Sequence, residues 1–465
     1  MTTASAINGT NIKLVSFILS EMVPEGKCPV RQALYWHGFA GSSIIKSPIM
    51  KYIFLIAVSA LFACNHSAQK APATVSDSLL PAPAKSAKNF SKVTGWEEGK
   101  TPVAPAGLKV SKFADSLSNP RWIYVAPNGD VFVSEANATK AFVQKAKDVV
   151  SGKAKSQNQE SSADRITLFR GDKRYTFLTG LHQPFGMLVL GDKFYVGNTD
   201  GLMVFPYKQG STKITDPGKV ILPLPAGGYN NHWTRNVIAD KDGSKLYVSV
   251  GSGSNVAEHG IENEVRRANI LQINPDGSGE KVYASGLRNP VGMGWAPGTH
   301  TLWTVVNERD ELGDELVPDY LTSVKEGGFY GWPYSYFGQH EDPRLKGQHP
   351  ELVQKAIVPD FPLGAHTASL GLVFYNGSSF PTKYQGGAFI GQHGSWNSSV
   401  LKGYKVVFVP FKDGKPSGPA EDFLTGFIKS GDEVYGRPVG VAVSPDGSLL
   451  VADDASNVIW KVSKQ

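Results

Sequence analysis

The stretch Arg288-Asn-Pro-Val-Gly-Met-Gly-Trp-Ala-Pro-Gly-Thr-His-Thr-Leu-Trp303 decides the fold, because the chain repeats it. A short apolar strand runs into a Pro-Gly turn and a second apolar strand follows, which reads as a β-hairpin. The pattern is present as Ser118-Asn-Pro-Arg-Trp-Ile-Tyr-Val-Ala-Pro-Asn-Gly-Asp-Val-Phe-Val-Ser-Glu135 and as His182-Gln-Pro-Phe-Gly-Met-Leu-Val-Leu-Gly-Asp-Lys-Phe-Tyr-Val-Gly197. It returns from Arg235 to Gly251 and as Arg437-Pro-Val-Gly-Val-Ala-Val-Ser-Pro-Asp-Gly-Ser-Leu-Leu-Val-Ala452, with a degenerate copy from Ala368 to Gly391. Six hairpins at spacings of roughly 50 to 80 residues imply radial repetition, in which each unit buries its faces against its neighbours. The expected fold is all-β, a six-bladed β-propeller. The alternating pattern disfavours a helical solenoid.

In such a fold the inner strand of each blade lines a central channel. The residues just before each hairpin should therefore share one mouth: Pro120-Arg-Trp122, His182-Gln-Pro184, Asn231-His-Trp233, Arg288-Asn289, His366-Thr-Ala368 and Arg437-Pro438. Three arginines, three histidines and two tryptophans suit a flat anionic ligand, since guanidinium groups pair with carboxylates while aromatic rings cover the faces. His232 is either a base at this mouth or a hydrogen-bonded structural histidine. The loop Asn307-Glu-Arg-Asp-Glu-Leu-Gly-Asp-Glu315 is either a solvated acidic turn or a source of oxygen ligands for a hard cation such as calcium.

The front of the chain is of another kind. Met50-Lys-Tyr-Ile-Phe-Leu-Ile-Ala-Val-Ser-Ala-Leu-Phe-Ala-Cys64 has one lysine and an apolar run too short to span a bilayer. It resembles a bacterial lipoprotein signal with Cys64 as the lipidated residue, which implies export and a lipid anchor at a membrane facing the periplasm or the cell surface. Residues 1–49 then read as upstream sequence from too early a start, 50–63 as signal peptide and 64–103, rich in Ala, Pro, Ser and Lys, as a flexible tether. Residues 104–465 form the domain.

Residues 1–63 carry five basic side chains (Lys13, Lys27, Arg31, Lys46, Lys51) against Glu21 and Glu25, so removing that net +3 lowers the formal charge from +6 to +3. Such a balance, without a clustered basic stripe, argues against a nucleic-acid partner. The only cysteines are Cys28 and Cys64, which leaves the domain without disulfides or thiolate metal ligands.

Six motifs in order carry a family resemblance: Gly286-Leu-Arg-Asn-Pro290, Asp314-Glu315, Gly328-Phe-Tyr-Gly-Trp-Pro333, Gly364-Ala-His-Thr-Ala-Ser-Leu-Gly371, Gln392-His-Gly-Ser-Trp-Asn397 and Gly436-Arg-Pro-Val439. From about Gly107 to Ser463 the chain resembles the soluble quinoprotein glucose/sorbosone dehydrogenases, nearest to their sorbosone dehydrogenase-like branch. The resemblance implies a propeller that binds pyrroloquinoline quinone (PQQ) and calcium and oxidises an aldose-type sugar or a sorbosone-like aldehyde or hemiacetal. An electron acceptor, a quinone or a cytochrome, must then follow. His232 falls at the position of the catalytic base, Arg288, Asn289 and Arg437 at cofactor contacts, and Tyr330 and Trp332 at aromatic positions over cofactor and sugar. His393 falls near the place of a lysine that contacts the quinone, and Arg309 and Asp310 fall where backbone carbonyls hold calcium.

The sequence departs from the glucose-oxidising members where an acid would orient the histidine, because Ser252 stands there. Unless Glu258, Glu262 or another carboxylate reaches His232, its basicity should fall. Two functions from other classes compete: a calcium-dependent propeller lactonase, and a non-catalytic lipoprotein that binds protein or glycan. The anchor has its own test. Cys64→Ser should move the protein from membranes to the soluble fraction, and unchanged fractionation on ultracentrifugation would count against lipidation.

Overall fold

The computed structural model describes residues 80–138, 142–156 and 160–465; the expected leader and Cys64 lie outside them. The domain is all-β apart from short helical segments such as α1 (Phe142–Val150). Six sheets of four or five strands make up its body. Each of the six repeated hairpins supplies the first strand of one sheet: β1 (Pro120–Val125), β2 (Met187–Leu190), β3 (Val237–Ala239), β4 (Pro290–Trp295), β5 (Ser369–Phe374) and β6 (Pro438–Val443). The four main strands of each sheet then pair antiparallel in sequence order, as alternating apolar patterning and tight turns dictate, and the sheet begun by β3 adds a fifth, parallel strand, Gly328–Phe329, beside Lys281–Ser285. The sheet begun by β6 is the exception. Its fourth strand is Leu108–Ala114, from the other end of the domain, laid antiparallel on Val458–Lys464 so that the two ends close on each other.

The first strands adjoin one another: β2 and β4 flank β3, β5 lies between β4 and β6, and β6 lies beside β1. A hydrogen bond from the Val189 amide to the Tyr124 hydroxyl (3.0 Å) joins β2 to β1. The approach is close enough to explain a recurring letter of the repeat. A Cβ at Gly371 would lie 2.1 Å from the Val439 carbonyl oxygen, and one at Gly440 would lie 2.7 Å from that of Arg121. Only glycine permits backbones to meet at this distance. Between the sheets the interior is apolar and aromatic, with Phe132, Phe177, Phe185 and Phe194 packed in one cluster and Tyr375, Phe389, Phe408 and Trp460 in another.

The described part of the expected tether departs from the sequence reading. Residues from Leu80 onward are laid across the domain and held there. The Ala84 amide donates to Leu312 (2.9 Å), the Asn89 amide to Trp396 (2.8 Å), and Lys92–Val93 pairs in parallel with Glu433–Val434. Trp96 packs against Phe427, Tyr435 and Trp460 and donates from Nε1 to the buried Asp453 carboxylate (2.8 Å). Two large aromatic rings, Phe90 and Trp96, supply the apolar area that an Ala- and Pro-rich segment otherwise lacks. Trp96→Ala should therefore cost about 3 kcal/mol of unfolding free energy, measured by urea titration. A loss under about 0.5 kcal/mol would mean that this segment is not part of the cooperative unit.

Candidate active site

The loops before the first strands converge on a cavity of about 240 Å³. Its walls include Arg121, Asn231, His232, Trp233, Arg288, Asn289, Asp310, His366, His393 and Arg437. The expected mouth is thus assembled in part: Trp122 is buried in the apolar core against Phe185 (ring centroids 4.9 Å apart) and does not line the cavity. His182 and Gln183 are absent from the cavity wall: His182 is exposed and pairs with Asp200 (2.9 Å), and Gln183 is buried against the Asn137 carbonyl (3.0 Å).

His232 is the base candidate, and its neighbours fix its tautomer. Nδ1 lies 3.0 Å from the Ser252 carbonyl oxygen, which can only accept, and 2.9 Å from the Ser252 hydroxyl. That hydroxyl donates its own proton to the Ser254 carbonyl (2.6 Å). Nδ1 must therefore carry the hydrogen, which leaves the Nε2 lone pair of the neutral ring available to the cavity. Burial, reinforced by the Arg288 charge, holds the His232 pKa well below the usual histidine range. Glu258 does not reach it, because that carboxylate accepts from the Asn255 and Val256 amides. Gly251 makes room for this arrangement, since a Cβ there would lie 2.6 Å from His232 Cβ and 2.4 Å from Asn289 Oδ1.

Arg288 is buried with no carboxylate in hydrogen-bond contact. Its guanidinium donates to the Asn255 carbonyl (3.0 Å) and side chain (2.9 Å) and to the carbonyls of Asn307 (2.9 Å) and Glu308 (2.7 Å). Arg437 is held alike, by the carbonyls of His393, Ser156 and Gly394. Carbonyl dipoles satisfy the donors but leave the charge uncancelled. Arg121 differs, for it forms an ion pair with Asp454 and also covers the Trp233 ring. Two buried polar atoms at this wall, Arg121 Nε and Asn289 Oδ1, have no partner among the described residues. Among groups that line the cavity the balance is positive, and unpaired polar atoms are left for a ligand.

Two further histidines hold carboxylates directly. His393 Nε2 lies 2.9 and 3.1 Å from the Asp454 oxygens, yet burial and Arg437 press its pKa down to about 4. His366 places Nδ1 3.1 Å from Asp310 and Nε2 2.8 Å from the Gly313 carbonyl. Burial opposes its charge, but these two acceptors outweigh it and raise its pKa.

The acidic loop is not uniformly a ligand set. Asp314 is tied to Ser399, and Glu315 to Lys402 (2.8 Å); of the loop's carboxylates only Asp310 belongs to the cavity wall. Behind it, burial lifts Glu308 to about 7 and Asp319 to about 6. Arg309 turns away into an ion pair with Asp342 (2.6 Å) and donates from Nε to the Asp310 carbonyl (2.9 Å). Among the described residues no three His, Cys, Asp or Glu side chains are gathered to hold a metal.

Tyr330 and Trp332 were expected over the ligand, and the structure places both behind the wall. The Tyr330 hydroxyl donates to the Ser323 carbonyl inside an apolar cluster, and Trp332 Nε1 donates to the Asn255 carbonyl (3.0 Å). Their turn, Gly328 to Pro333, runs beside Lys281–Ser285 as an added parallel strand, which points it into the sheet instead of the cavity. The aromatic walls are Trp233, Trp396 and Phe90, the last two stacked at 5.6 Å and 3°. Lys153 and Ser156, from the segment after α1, complete the rim, and Lys153 stands over Trp396 at 5.7 Å. Trp396 lies in the Gln392–Asn397 motif, whereas nothing in the sequence marks Lys153 or Ser156.

These features define an all-β protein with a cationic, aromatic-walled cavity that a neutral histidine lines. Residues 195–461 match the family model described as Glucose / Sorbosone dehydrogenase, and the chain belongs to that family. It is 28% identical over 369 residues to an uncharacterized protein of Borreliella burgdorferi (77% of this chain, 89% of that one). It is 26% identical over 269 residues to aldose sugar dehydrogenase YliI of Escherichia coli (54% of this chain, 65% of that one). The holo form of the pyranose dehydrogenase PQQ domain from Coprinopsis cinerea shares the fold, with a TM-score of 0.62 at 18% identity over 80% of this chain and 100% of that one.

The titrations give a signed expectation for stability. His366, with its folded pKa above 6.5, stabilises fully below that pH and loses this as pH rises through the folded value. Glu308, lifted to about 7, also binds its proton more tightly when folded, so stability again falls as pH rises. His232 and His393, both depressed, act in the opposite sense only below about pH 6.5. Between about pH 6.5 and 8 the thermal midpoint of the ligand-free protein should therefore fall. Glu308→Gln should flatten that slope in scanning calorimetry; a midpoint that rises over this window contradicts the assignment.

Proposed function

We propose that this chain is a PQQ- and calcium-dependent dehydrogenase that oxidises an aldose-type sugar or a sorbosone-like aldehyde or hemiacetal. Its six sheets are read as the blades of a six-bladed propeller, supported by first strands that adjoin one another and by the closure of the last sheet with Leu108–Ala114. The observation that carries the reading is His232, whose free Nε2 shares a cavity with Arg288, Asn289 and Arg437. PQQ is a flat tricarboxylate, and the fit lies in uncancelled guanidinium charge between aromatic walls. Among the described residues Arg288 Nη2 makes one hydrogen bond, to the Asn255 side chain, which leaves its second hydrogen for a ligand. Arg437, Asn289 and His393 would complete the contacts, and the Arg309 and Asp310 carbonyls, the latter now accepting from the Arg309 guanidinium, would hold calcium beside the buried carboxyl groups of Glu308 and Asp319.

When bound, PQQ would supply the two-electron acceptor and calcium the Lewis acid for the oxidation. The chain's own share is the proton. His232 Nε2 accepts it from the sugar hydroxyl while Nδ1–H stays on Ser252, and the imidazolium returns it to solvent. A base with a depressed pKa is neutral, and so ready, throughout the neutral range. Turnover would also need an electron acceptor, a quinone or a cytochrome. Export through residues 50–63 and a lipid on Cys64 belong to the same proposal, with residues 1–49 absent from the mature protein. Among the described residues no helix is long and apolar enough to cross a membrane.

Recombinant protein with PQQ, calcium and an aldose should reduce an artificial dye. Lactone opening without PQQ would instead mark a hydrolase, and neither activity would mark a binding protein. His232→Ala should retain PQQ binding and lose turnover about a hundredfold or more. Arg288→Ala should first lose PQQ affinity, by about 1.5 to 3 kcal/mol, and regain part of its rate at high PQQ. Full recovery of His232→Ala by PQQ, or unchanged affinity in Arg288→Ala, would reverse the roles.

A further inference from the structure

Ser252 gives His232 an acceptor without a charge, and the source of its orientation lies one layer deeper. The buried Glu264 carboxylate takes the Gly253 amide on Oε2 (2.7 Å) and the Ser254 hydroxyl on Oε1 (2.5 Å). The Ser254 carbonyl then takes the Ser252 hydroxyl (2.6 Å), and Ser252 takes His232 Nδ1–H. Every link from Glu264 to Ser252 is buried. The segment Gly251–Asn255 has no regular secondary structure to fix these carbonyls, so the carboxylate that clamps two of its residues sets where they point. Glu264 sits in the short helical turn Ile261–Glu264, at the far side of the loop that begins with Gly251.

We infer that Glu264 is a positioning residue that fixes the tautomer and orientation of His232 through Ser254 and Ser252. It acts at second remove where a carboxylate in direct contact would serve, and this inference rests on His232 being the base. The direction of each bond follows from the acceptors. The carboxylate cannot donate, so Ser254 donates to it; the Ser254 carbonyl cannot donate, so Ser252 donates to that; Nδ1–H closes the series. No proton needs to pass along it, because the backbone between the Ser254 hydroxyl and its carbonyl interrupts any hydroxyl-to-hydroxyl path. Glu264 also opposes the charge of Arg267, which itself lowers the pKa of His232. Removing the carboxylate should thus both loosen the ring and leave one more uncompensated cation near it.

The test uses the full chain labelled with 15N-histidine, without cofactor, with the His232 signals assigned by difference against His232→Gln. The native protein should show a neutral Nδ1–H tautomer. Glu264→Gln should shift the ring toward a tautomer mixture and move its titration midpoint to lower pH. In the loaded enzyme, Glu264→Gln should lower kcat about tenfold or more with little change in KM, and move the acid limb of kcat to lower pH. Adding Ser252→Asp should restore an Nδ1 partner, return the limb to higher pH and recover much of the rate. Should Glu264→Gln not fold, Ser254→Ala, which keeps the charge and the Gly253 bond, should give a smaller shift of the same sign. An identical tautomer and titration midpoint in whichever variant folds overturns the inference. Absence of dye reduction by the native enzyme would instead refute the proposed function, and the spectra would still decide the relay.

Discussion

A buried guanidinium held only by neutral oxygens is the constraint on which the rest of the site depends. Four hydrogen bonds from Arg288 bind together Asn255, Asn307 and Glu308, three points on two loops that share no strand. Removing the arginine would leave those acceptors without donors and the loops without a common anchor. Its charge is a second consequence. No carboxylate touches it, so the field it projects into the cavity is limited only by distance to Asp310, Glu308 and Asp319. That field lowers the pKa of His232 and favours an anion in front of it. Structural support and ligand attraction thus come from one side chain.

The fold was legible because its repeat is written in residues that the backbone geometry demands. Pro-x-Gly at the start of β4 and β6 places glycine where adjacent first strands leave no room for a Cβ, as at Gly292 and Gly440. The turns that follow use Pro-Gly or Asp-Gly, which tolerate the left-handed backbone found at Gly298 and Gly447. Period-two patterning supplied the strands. The number of sheets could be read from the sequence; their lateral order depends on contacts that no local pattern encodes.

The site was less evenly legible. His232 facing Ser252 could be placed from the sequence, as could Arg288 and Arg437, because each precedes a repeated strand. Tyr330 and Trp332 could not be distinguished from wall residues, since an aromatic pair in a Gly-rich turn looks the same whether it faces a cavity or a core. Their burial is decided by the added strand Gly328–Phe329. The segment Leu80–Val103 misled in the opposite way: its composition is that of a linker, yet Phe90 and Trp96 suffice to hold it. Composition averages over a window, whereas docking depends on single large side chains.

The three cavity histidines show how one residue type is given different charge states by its acceptors. His366 faces a carboxylate and a carbonyl and is drawn toward the cationic form. His393 has the carboxylate of Asp454, but Arg121 and Arg437 share that region, and burial keeps it neutral. His232 has only neutral acceptors at Nδ1 and a cation nearby. A direct carboxylate would raise its basicity but would also bring a negative charge into a cavity whose proposed ligand is anionic. Keeping the acid at Glu264, two serines away, orients the imidazole while leaving the positive field of Arg288 and Arg437 undiminished where a carboxylated ligand would lie. The substitution at Ser252 therefore need not signal a lost base, because the charge can be withdrawn from the cavity while the hydrogen-bond direction is preserved.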